Sequence, residues 1–180
     1  MEDPFFERLA TSRLVIRRFI ASDAERFAAY RREAEVARYQ YWDSPFPVSA
    51  AREFIAQMDH VVPGRLDAWF QFAVERAPST ALIGDIGLRA TQAEGLQAEL
   101  GFTFAFAHQG QGYAAEAVGA LVHYAFGQLA MQRVFSRTDS RNTRARRLLE
   151  RLGFRPEGEE RTWFKGTWAT DLFYARLPSE

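Results

Sequence analysis

Residues 13–19 alternate apolar with basic residues, which predicts a half-exposed β-strand. The apolar run from Leu14 to Ile16 lies between Arg13 and Arg17, and Phe19 follows Arg18. Strands are also predicted at residues 68–75, 81–90, 97–106 and 133–138, and on both sides of Lys165-Gly166. The glycine of that last pair suits the tight turn of a hairpin.

Other segments place apolar residues three and four positions apart, which predicts helices with one buried face. Ser22-Asp23-Ala24-Glu25 is a capping box in which Ser22 would cap a helix, and Ser49 would cap a second one. The four predicted helices end near residue 33, near residue 60, near residue 128 and at residue 152. Breaks are predicted at Val62-Pro63-Gly64, Ala77-Pro78-Ser79 and Glu94-Gly95, and in an aromatic, proline-containing loop at residues 39–47.

Helices alternating with many strands predict an α/β (α+β) fold, and 180 residues without a linker predict a single domain over residues 1–180. The absence of cysteine excludes disulfides, thiolate metal sites and a cysteine nucleophile. No apolar run reaches the length of a membrane span and no secretory signal is evident, so we expect a cytoplasmic protein. The formal charge of zero gives no general attraction to nucleic acid or to a membrane.

Residues 109–114 read Gln-Gly-Gln-Gly-Tyr-Ala, between a predicted strand and a predicted helix. Two glycines let the backbone approach a ligand closely, and the first turn of a helix offers unpaired N–H groups to an anion. The segment is therefore either a pyrophosphate cradle or an ordinary turn. A Walker motif would need a Lys-Ser/Thr pair in place of Tyr113-Ala114, and a dinucleotide fingerprint would need a glycine near Ala115, so neither is expected.

The helix predicted at residues 142–152 follows directly on a strand and begins with Asn142, which is a good N-cap residue. Seven arginines lie between Arg133 and Arg151. They form either a solvated helix face or contacts to a phosphate, which arginine binds in a bidentate manner.

The order of these motifs resembles the GNAT N-acetyltransferase superfamily over residues 97–154: a strand, Q-x-x-G-x-A opening a helix, a second strand, and an Asn-led helix that ends in Leu-Gly-Phe. The segments at residues 13–17, 39–47, 99–102 and 112–117 resemble the RimJ/RimL group of ribosomal-protein N-terminal acetyltransferases. The resemblance implies a mixed, splayed central sheet of about seven strands flanked by about four helices, with acetyl-CoA between the two central strands.

The resemblance also implies how acetyl-CoA is held. Its pantetheine arm would bond to backbone groups near Phe104 and contact Asn142, and its pyrophosphate would bind the amides of the glycine-rich turn. The implied cofactor-binding residues are Phe104, Gln109, Gly110, Gln111, Gly112, Tyr113, Ala114 and Asn142.

Acyl transfer from a thioester to an amine requires a neutral amine, a held thioester and donors for the oxyanion, but no metal. A protein α-amine has a reference pKa of about 7.7–8.0, so it needs only modest help from a base. Some superfamily members have a catalytic glutamate where Glu99 stands, and Rim-group members have a proposed base in the penultimate strand, near Glu160 and Glu159. A strand-end charge and a polar turn are the alternatives, and Glu116 fits a structural role at a helix N-terminus.

One departure from the family concerns the acid that protonates the leaving thiolate. The family often has a serine three residues after the asparagine, or a tyrosine later in that helix, but this chain has Ala145 and Leu148-Leu149 there. Tyr174 is a remote candidate for the acid, and His108 is interpreted as a loop residue.

These observations predict transfer of an acetyl group from acetyl-CoA to a primary amine by direct attack. The acceptor stays open between a protein N-terminal α-amine, an aminoglycoside-like amine and a metabolite, and a CoA-binding module with little turnover is the rival hypothesis. Tyr41, Trp42 and Phe46 would line an acceptor pocket or pack in the core. The balanced charge speaks against a nucleic-acid partner, and the oligomeric state, a homodimer included, is open.

Overall fold

The computed structural model describes residues 1–42, 45–92 and 95–178. Within these residues the chain forms one sheet of eight strands and five α-helices. The strands are β1 (Arg8–Ala10), β2 (Leu14–Arg17), β3 (Trp69–Arg76), β4 (Ala81–Thr91), β5 (Gln97–Phe104), β6 (Arg133–Asp139), β7 (Arg155–Phe164) and β8 (Thr167–Arg176). The helices are α1 (Ala24–Arg31), α2 (Ala34–Ala37), α3 (Val48–Met58), α4 (Tyr113–Gly127) and α5 (Thr143–Arg151).

The strand order is β1-β2-β3-β4-β5-β6-β8-β7, and the pairs are antiparallel except for β5 and β6. This mixed sheet with helices confirms the predicted fold class. The predicted counts of about seven strands and four helices are each one short, because β1 has three residues and α2 has four. Elements this short do not complete a pattern of either period. No helix of the described residues is long and apolar enough to cross a bilayer.

Two of the three predicted N-caps, Ser22 and Ser49, are wrong. A short 3-10 turn occupies Ala21–Asp23, and the Asp23 carboxylate accepts hydrogen bonds from the backbone N–H of Ile20 (2.9 Å) and from Arg17 (2.8 Å). Ser22 therefore precedes α1 without capping it. Ser49 lies inside the first turn of α3, which follows Pro47.

The hairpin between β7 and β8 is as predicted, because Lys165 (φ 46°) and Gly166 (φ 79°) both adopt the left-handed conformation of a tight turn. Glu94 of the predicted Glu94-Gly95 turn lies outside the described residues. So do Asp43 and Ser44 of the aromatic loop.

A separate hydrophobic cluster packs on each face of the sheet. Leu88 and Leu100 belong to the cluster that contains Leu121 of α4. Ala73 belongs to the other cluster, which contains Phe27 of α1 and the α3 residues next to it. Since successive strand residues point to opposite faces, the odd-numbered residues of β5 face away from α4.

The two central strands, β5 and β6, diverge soon after they meet. They share three residue pairs, the last of which joins Glu99 to Phe135. Beyond that point residues 100–104 pair only with β4, and residues 136–139 pair only with β8. The sheet is therefore splayed into a V whose apex lies at Glu99.

The turn between β1 and β2 is held by Glu116, in the first turn of α4. Its carboxylate accepts hydrogen bonds from Thr11 Oγ1 (2.6 Å), Ser12 Oγ (3.0 Å) and both the backbone N (2.9 Å) and Nε (2.7 Å) of Arg13. Burial opposes ionisation of this group, but the hydrogen bonds outweigh burial and lower the pKa of Glu116 to about 2. Arg13 also donates to the carbonyl of Gln111 (3.1 Å), so the N-terminal strands support the glycine-rich turn.

Replacing Glu116 by Gln should lower the free energy of unfolding at pH 7 by about 1–3 kcal/mol, because charge-assisted hydrogen bonds are lost. The folded-state pKa lies below the ordinary value of 4.5, so the carboxylate stabilises the fold above about pH 4.5 and this contribution is lost as the pH falls towards 2. Denaturant titrations at several pH values should show the wild-type advantage shrinking in that window. Glu53→Gln, at an exposed position of α3, is the control, and an advantage that does not change with pH would contradict the assignment.

Candidate active site

A cleft of about 760 Å³ occupies the open part of the V, within the size range of small-molecule sites. Its walls are the end of β5, the glycine-rich turn, the start of α5 and the segment that follows α2. Of the residues predicted to hold the cofactor, those that line the cleft are Phe104, Gln109, Gly110, Gly112, Tyr113, Ala114 and Asn142. Gln111 does not line the cleft, and its side chain donates instead to the Ala107 carbonyl (2.8 Å).

Both glycines of the turn adopt left-handed conformations, with φ of 74° at Gly110 and 82° at Gly112. Non-glycine residues rarely adopt this conformation, so glycine is needed here for backbone shape. A Cβ added to Gly110 would meet no atom within 4 Å, which leaves open space above the turn. The N–H groups at the start of α4 can therefore be approached by an anion, as a pyrophosphate cradle requires.

The cleft edge of β5 carries backbone groups that no strand pairs. The N–H of Ala105 donates to β4, and by alternation the groups of Phe102 and Phe104 face the splay. Gln40 Nε2 donates to the Phe102 carbonyl (3.5 Å) and Gln109 Nε2 to the Phe104 carbonyl (2.9 Å). The β5 edge thus offers hydrogen-bonding groups to a ligand, and its Phe104 carbonyl is engaged by Gln109.

Asn142 combines the two roles that its sequence position suggests. Its Oδ1 accepts a hydrogen bond from the backbone N–H of Ala145 (3.2 Å), which is an N-cap interaction. Because the oxygen is used for the cap, the Nδ2 amino group is the part of the side chain available as a donor.

Arginines give the mouth of the cleft a positive charge. The arginines that line it are Arg38, Arg141, Arg144, Arg147 and Arg151. Arg141 is paired with Asp139 (2.6 Å), and Arg144 donates to Gln109 Oε1 (2.9 Å). Among the described residues, Arg147 and Arg151 have no carboxylate partner, so they are free to bind a phosphate.

His108 belongs to the cleft, although the sequence indicated only a loop residue. It lines the cavity, and its Nδ1 is buried without a hydrogen-bond partner among the described residues. Burial and then the charges of Arg76 and Arg26 lower the pKa of His108 from its ordinary value, which favours the neutral ring. Its position one residue before the glycine-rich turn is the only sequence signal for this placement.

The candidate bases are widely separated in the sheet. Glu99 lies at the apex of the V. Its carboxylate is ion-paired with Arg89 of the neighbouring strand β4, and its side chain is 14% exposed. Glu160 is exposed on the edge strand β7, where its backbone is in register with Asp171 of β8. Glu159 is exposed on the opposite face of that strand. Neither Glu99 nor Glu160 lines the cavity itself.

The residues considered as the acid for the leaving thiolate supply no hydroxyl to the cleft. Ala145 is buried in the first turn of α5 and lines the cleft, so no hydroxyl is present there. Tyr174 is 2% exposed, and its hydroxyl donates to Glu150 (3.0 Å) and accepts from Arg146 (3.4 Å). That hydroxyl is therefore committed to α5 and does not face the cleft.

A strap formed by Tyr39, Gln40 and Tyr41 crosses the V. Tyr39 donates to the Arg141 carbonyl (3.4 Å) beyond β6, Gln40 bonds to β5, and Tyr41 donates to Asp171 (2.7 Å) on β8. Burial and the Asp171 hydrogen bond raise the pKa of Tyr41 to about 12. The strap thus contacts both arms of the splay.

The other two residues of the predicted acceptor pocket pack in the core. Trp42 and Phe46 lie 4.1 Å and 5.2 Å, from ring centroid to guanidinium carbon, from the buried Arg31. Trp42 Nε1 also donates to the Arg31 carbonyl (3.2 Å). Trp42 and Phe46 therefore pack against the core rather than line an acceptor pocket. Tyr41 is 61% exposed beside the splay.

Asn142→Asp should keep the stability within about 0.5 kcal/mol, because aspartate caps a helix as well as asparagine does. The KM for acetyl-CoA should rise about tenfold, since the substitution removes the amide donor and adds a negative charge. Steady-state kinetics and thermal unfolding check the two expectations. Asn142→Ser keeps a cap without the charge and should raise KM less, and an unchanged KM in both variants would leave Asn142 as a cap alone.

Arg147→Ala should weaken the binding of CoA about threefold to tenfold and reduce its dependence on salt, because one phosphate contact is lost. Calorimetric titration with CoA and with dephospho-CoA would show which phosphate the guanidinium meets. Arg52→Ala, at an exposed position of α3 where the arginine pairs with Glu25, is the matched control. Equal affinity of wild type and Arg147→Ala at low salt would remove the residue from the site.

Residues 13–155 match the family model described as "Acetyltransferase (GNAT) domain". The chain is 30% identical over 160 residues to the "Uncharacterized N-acetyltransferase p20" of Bacillus licheniformis, which covers 88% of each chain. A GNAT-family acetyltransferase from Bacillus anthracis is structurally similar, with a TM-score of 0.85 and 25% identity over 96% of this chain and 99% of that chain.

A ribosomal-protein-S5-alanine acetyltransferase from Vibrio fischeri has a similar fold, with a TM-score of 0.82 and 20% identity over 96% of this chain and 97% of that chain. The family match spans the glycine-rich turn, the strands β5 and β6 and the helix that Asn142 caps. The chain therefore belongs to the GNAT acetyltransferase family and is an acetyl-CoA-dependent N-acetyltransferase.

Proposed function

We propose that this enzyme acetylates the α-amine at the N-terminus of a protein, as the RimJ/RimL group does. The observation that carries the proposal is the open rim around the apex of the V. Trp69, which shares a row of the sheet with Glu99 but has Arg89 of β4 between them, is 39% exposed, and Tyr41 of the strap is 61% exposed. The end of a polypeptide can reach such a rim, and exposed aromatic faces are common anchors for a peptide partner.

The base in this proposal is Glu99. The amine nitrogen attacks the thioester carbonyl, the C–N bond forms and the C–S bond breaks. The proton released by the nitrogen passes to Glu99, directly or through a water, and the departing thiolate takes up a proton from solvent. Unpaired backbone N–H groups on the β5 edge are available to stabilise the oxyanion.

The position of Glu99 at the apex supports this role better than that of Glu160, which is exposed three strands away from β5. An α-amine with a pKa of about 7.7–8.0 is partly neutral at physiological pH. A single carboxylate is therefore sufficient as the general base, without an activating metal.

A small-molecule amine is the second candidate acceptor. The strap at Tyr39 and Gln40 contacts both arms of the V and narrows the entrance to the cleft, which favours an acceptor of small cross-section. An amino sugar or an alkyl amine would satisfy the same chemistry.

A screen of acetyl-CoA with peptides that differ in their first residue, alongside amino sugars and alkyl amines, distinguishes the two candidates. Products are separated by liquid chromatography, and the acetylated nitrogen is located by mass spectrometry. We expect acetylation at peptide α-amines. Turnover restricted to amino sugars or alkyl amines would replace the protein N-terminus with the small-molecule acceptor.

Glu99→Gln should lower kcat at pH 7 about 10²- to 10⁴-fold while acetyl-CoA still binds, because Gln keeps the side-chain shape but cannot accept a proton. The loss should shrink as the pH rises, since the free amine becomes abundant. The measurement is a pH profile of kcat together with calorimetric binding of acetyl-CoA.

Glu160→Gln is the matched control, at the other candidate position. A drop of less than about threefold in Glu99→Gln would move the role to Glu160, Glu159 or an ordered water. Full activity of both variants across the pH range would mean that positioning and the free-amine fraction alone account for catalysis.

A further inference from the structure

The sheet face away from α4 carries two glycines next to the V. Gln71 of β3, Gly87 of β4 and Gly101 of β5 are successive partners across the sheet, in the row adjoining the one that contains Glu99. Gly101 is the last of the three before the gap, because β5 no longer pairs with β6 there.

Gly101 has unoccupied space above it. A Cβ built on Gly101 meets no atom within 4 Å, and its backbone is not in a left-handed conformation. Glycine in a strand interior weakens the strand and often marks a place where a ligand comes close to the backbone. Neither the backbone conformation nor a neighbouring atom of the described residues requires a glycine here, so the space above Gly101 is open to a ligand.

Gln71 lies over the neighbouring glycine. A Cβ on Gly87 would be 2.8 Å from Gln71 Oε1 and 3.0 Å from the ring of Trp69. The missing side chain at Gly87 therefore lets the Gln71 amide and the Trp69 ring lean over β4, in the direction of Gly101.

The direction of the Gln71 amide is set by Asp85, which is fully buried. Asp85 is ion-paired with Arg31 (3.3 Å) and accepts hydrogen bonds from the Tyr30 hydroxyl and from Gln71 Nε2. A carboxylate offers only acceptors, so the NH₂ end of the Gln71 amide must point to Asp85.

Gln71 Oε1 is consequently turned away from Asp85 and towards the glycines. No donor among the described residues bonds to it. It is a fixed hydrogen-bond acceptor, next to open space and one row from Glu99.

We infer that the acceptor amine lies over Gly101 and donates one N–H to Gln71 Oε1, with Asp85 as the positioning residue. The inference rests on the proposed function and adds to it the residues that hold the acceptor amine and select for a primary one. A neutral primary amine has two N–H groups. One bonds to Gln71, the other releases its proton towards Glu99, and the lone pair is left for attack on the thioester. A secondary amine cannot make both contacts, so the site selects primary amines.

The test compares Gln71→Met with wild type on two matched pairs of probes. One pair is an alanine-initiated peptide and the same peptide beginning with N-methylalanine, and the other is hexylamine and N-methylhexylamine. In the variant, kcat/KM for the primary amines should fall at least tenfold, and that for the secondary amines less than threefold. The preference for primary amines therefore falls, while the Kd for acetyl-CoA stays within twofold.

Gly101→Ala tests the space by itself. The added methyl group has room to fold, but it occupies the proposed amine position, so the KM for a primary amine should rise at least tenfold with Tm and acetyl-CoA affinity unchanged. Gly158→Ala is the matched control, because Gly158 is a strand glycine whose added Cβ also meets nothing within 4 Å. Gln57→Met, on the exposed side of α3, is the control for Gln71→Met.

An unchanged preference for primary over secondary amines in Gln71→Met overturns the inference, as does a Gly101→Ala enzyme with wild-type KM for its amine. Neither result affects the proposed function, which fails if the wild-type enzyme acetylates no peptide α-amine. In that event the inference is tested with hexylamine as the substrate. If hexylamine is not turned over either, its affinity for the enzyme–CoA complex is measured by calorimetry for the wild type and for Gln71→Met. Equal affinities overturn the inference.

Discussion

The divergence of two parallel strands is the constraint on which the rest of the molecule depends. β5 and β6 share three residue pairs and then separate at Glu99 and Phe135. Separation leaves backbone groups on both edges without ladder partners, and such groups are costly to bury unless something else bonds to them. The side chains of Gln40 and Gln109 satisfy two carbonyls, and a ligand in the cleft can satisfy others. The fold thus accepts incomplete pairing at the cleft.

A buried charge pair links this cleft to the rest of the core. Asp85 has no solvent exposure, and Arg31 lies among aromatic rings, with its guanidinium carbon 4.2 Å from the centroid of Phe27 and 4.1 Å from that of Trp42. Removing one member of a buried pair typically costs about 3–5 kcal/mol, because the other charge loses its partner. The pair therefore anchors Trp42, directly after the strap, as well as the amide of Gln71.

The strand–turn–helix order at residues 97–128 and the Asn142 helix were predictable because each has a strong local pattern. Gly110 and Gly112 are required by backbone conformation, which is a local property that the sequence reveals directly. The failures were local as well. Asp23 rather than Ser22 bonds at the start of α1, because Arg17 and Ile20 approach its carboxylate in the folded chain. His108 carried no pattern that distinguishes a loop residue from a cleft residue.

The sequence by itself determined the class of fold, the glycine-rich turn and the family, since these follow from periodicity, turn chemistry and motif order within about 60 residues of chain. Only the tertiary structure decided which carboxylate lies at the apex of the V and which carboxylate orients the Gln71 amide. Glu99 meets Arg89 across β4, and Gln71 meets Asp85 from the neighbouring strand. Such contacts depend on strand register, and a shift by one residue would turn every side chain to the other face. Register is fixed by the packing of both hydrophobic clusters together, which no single segment encodes.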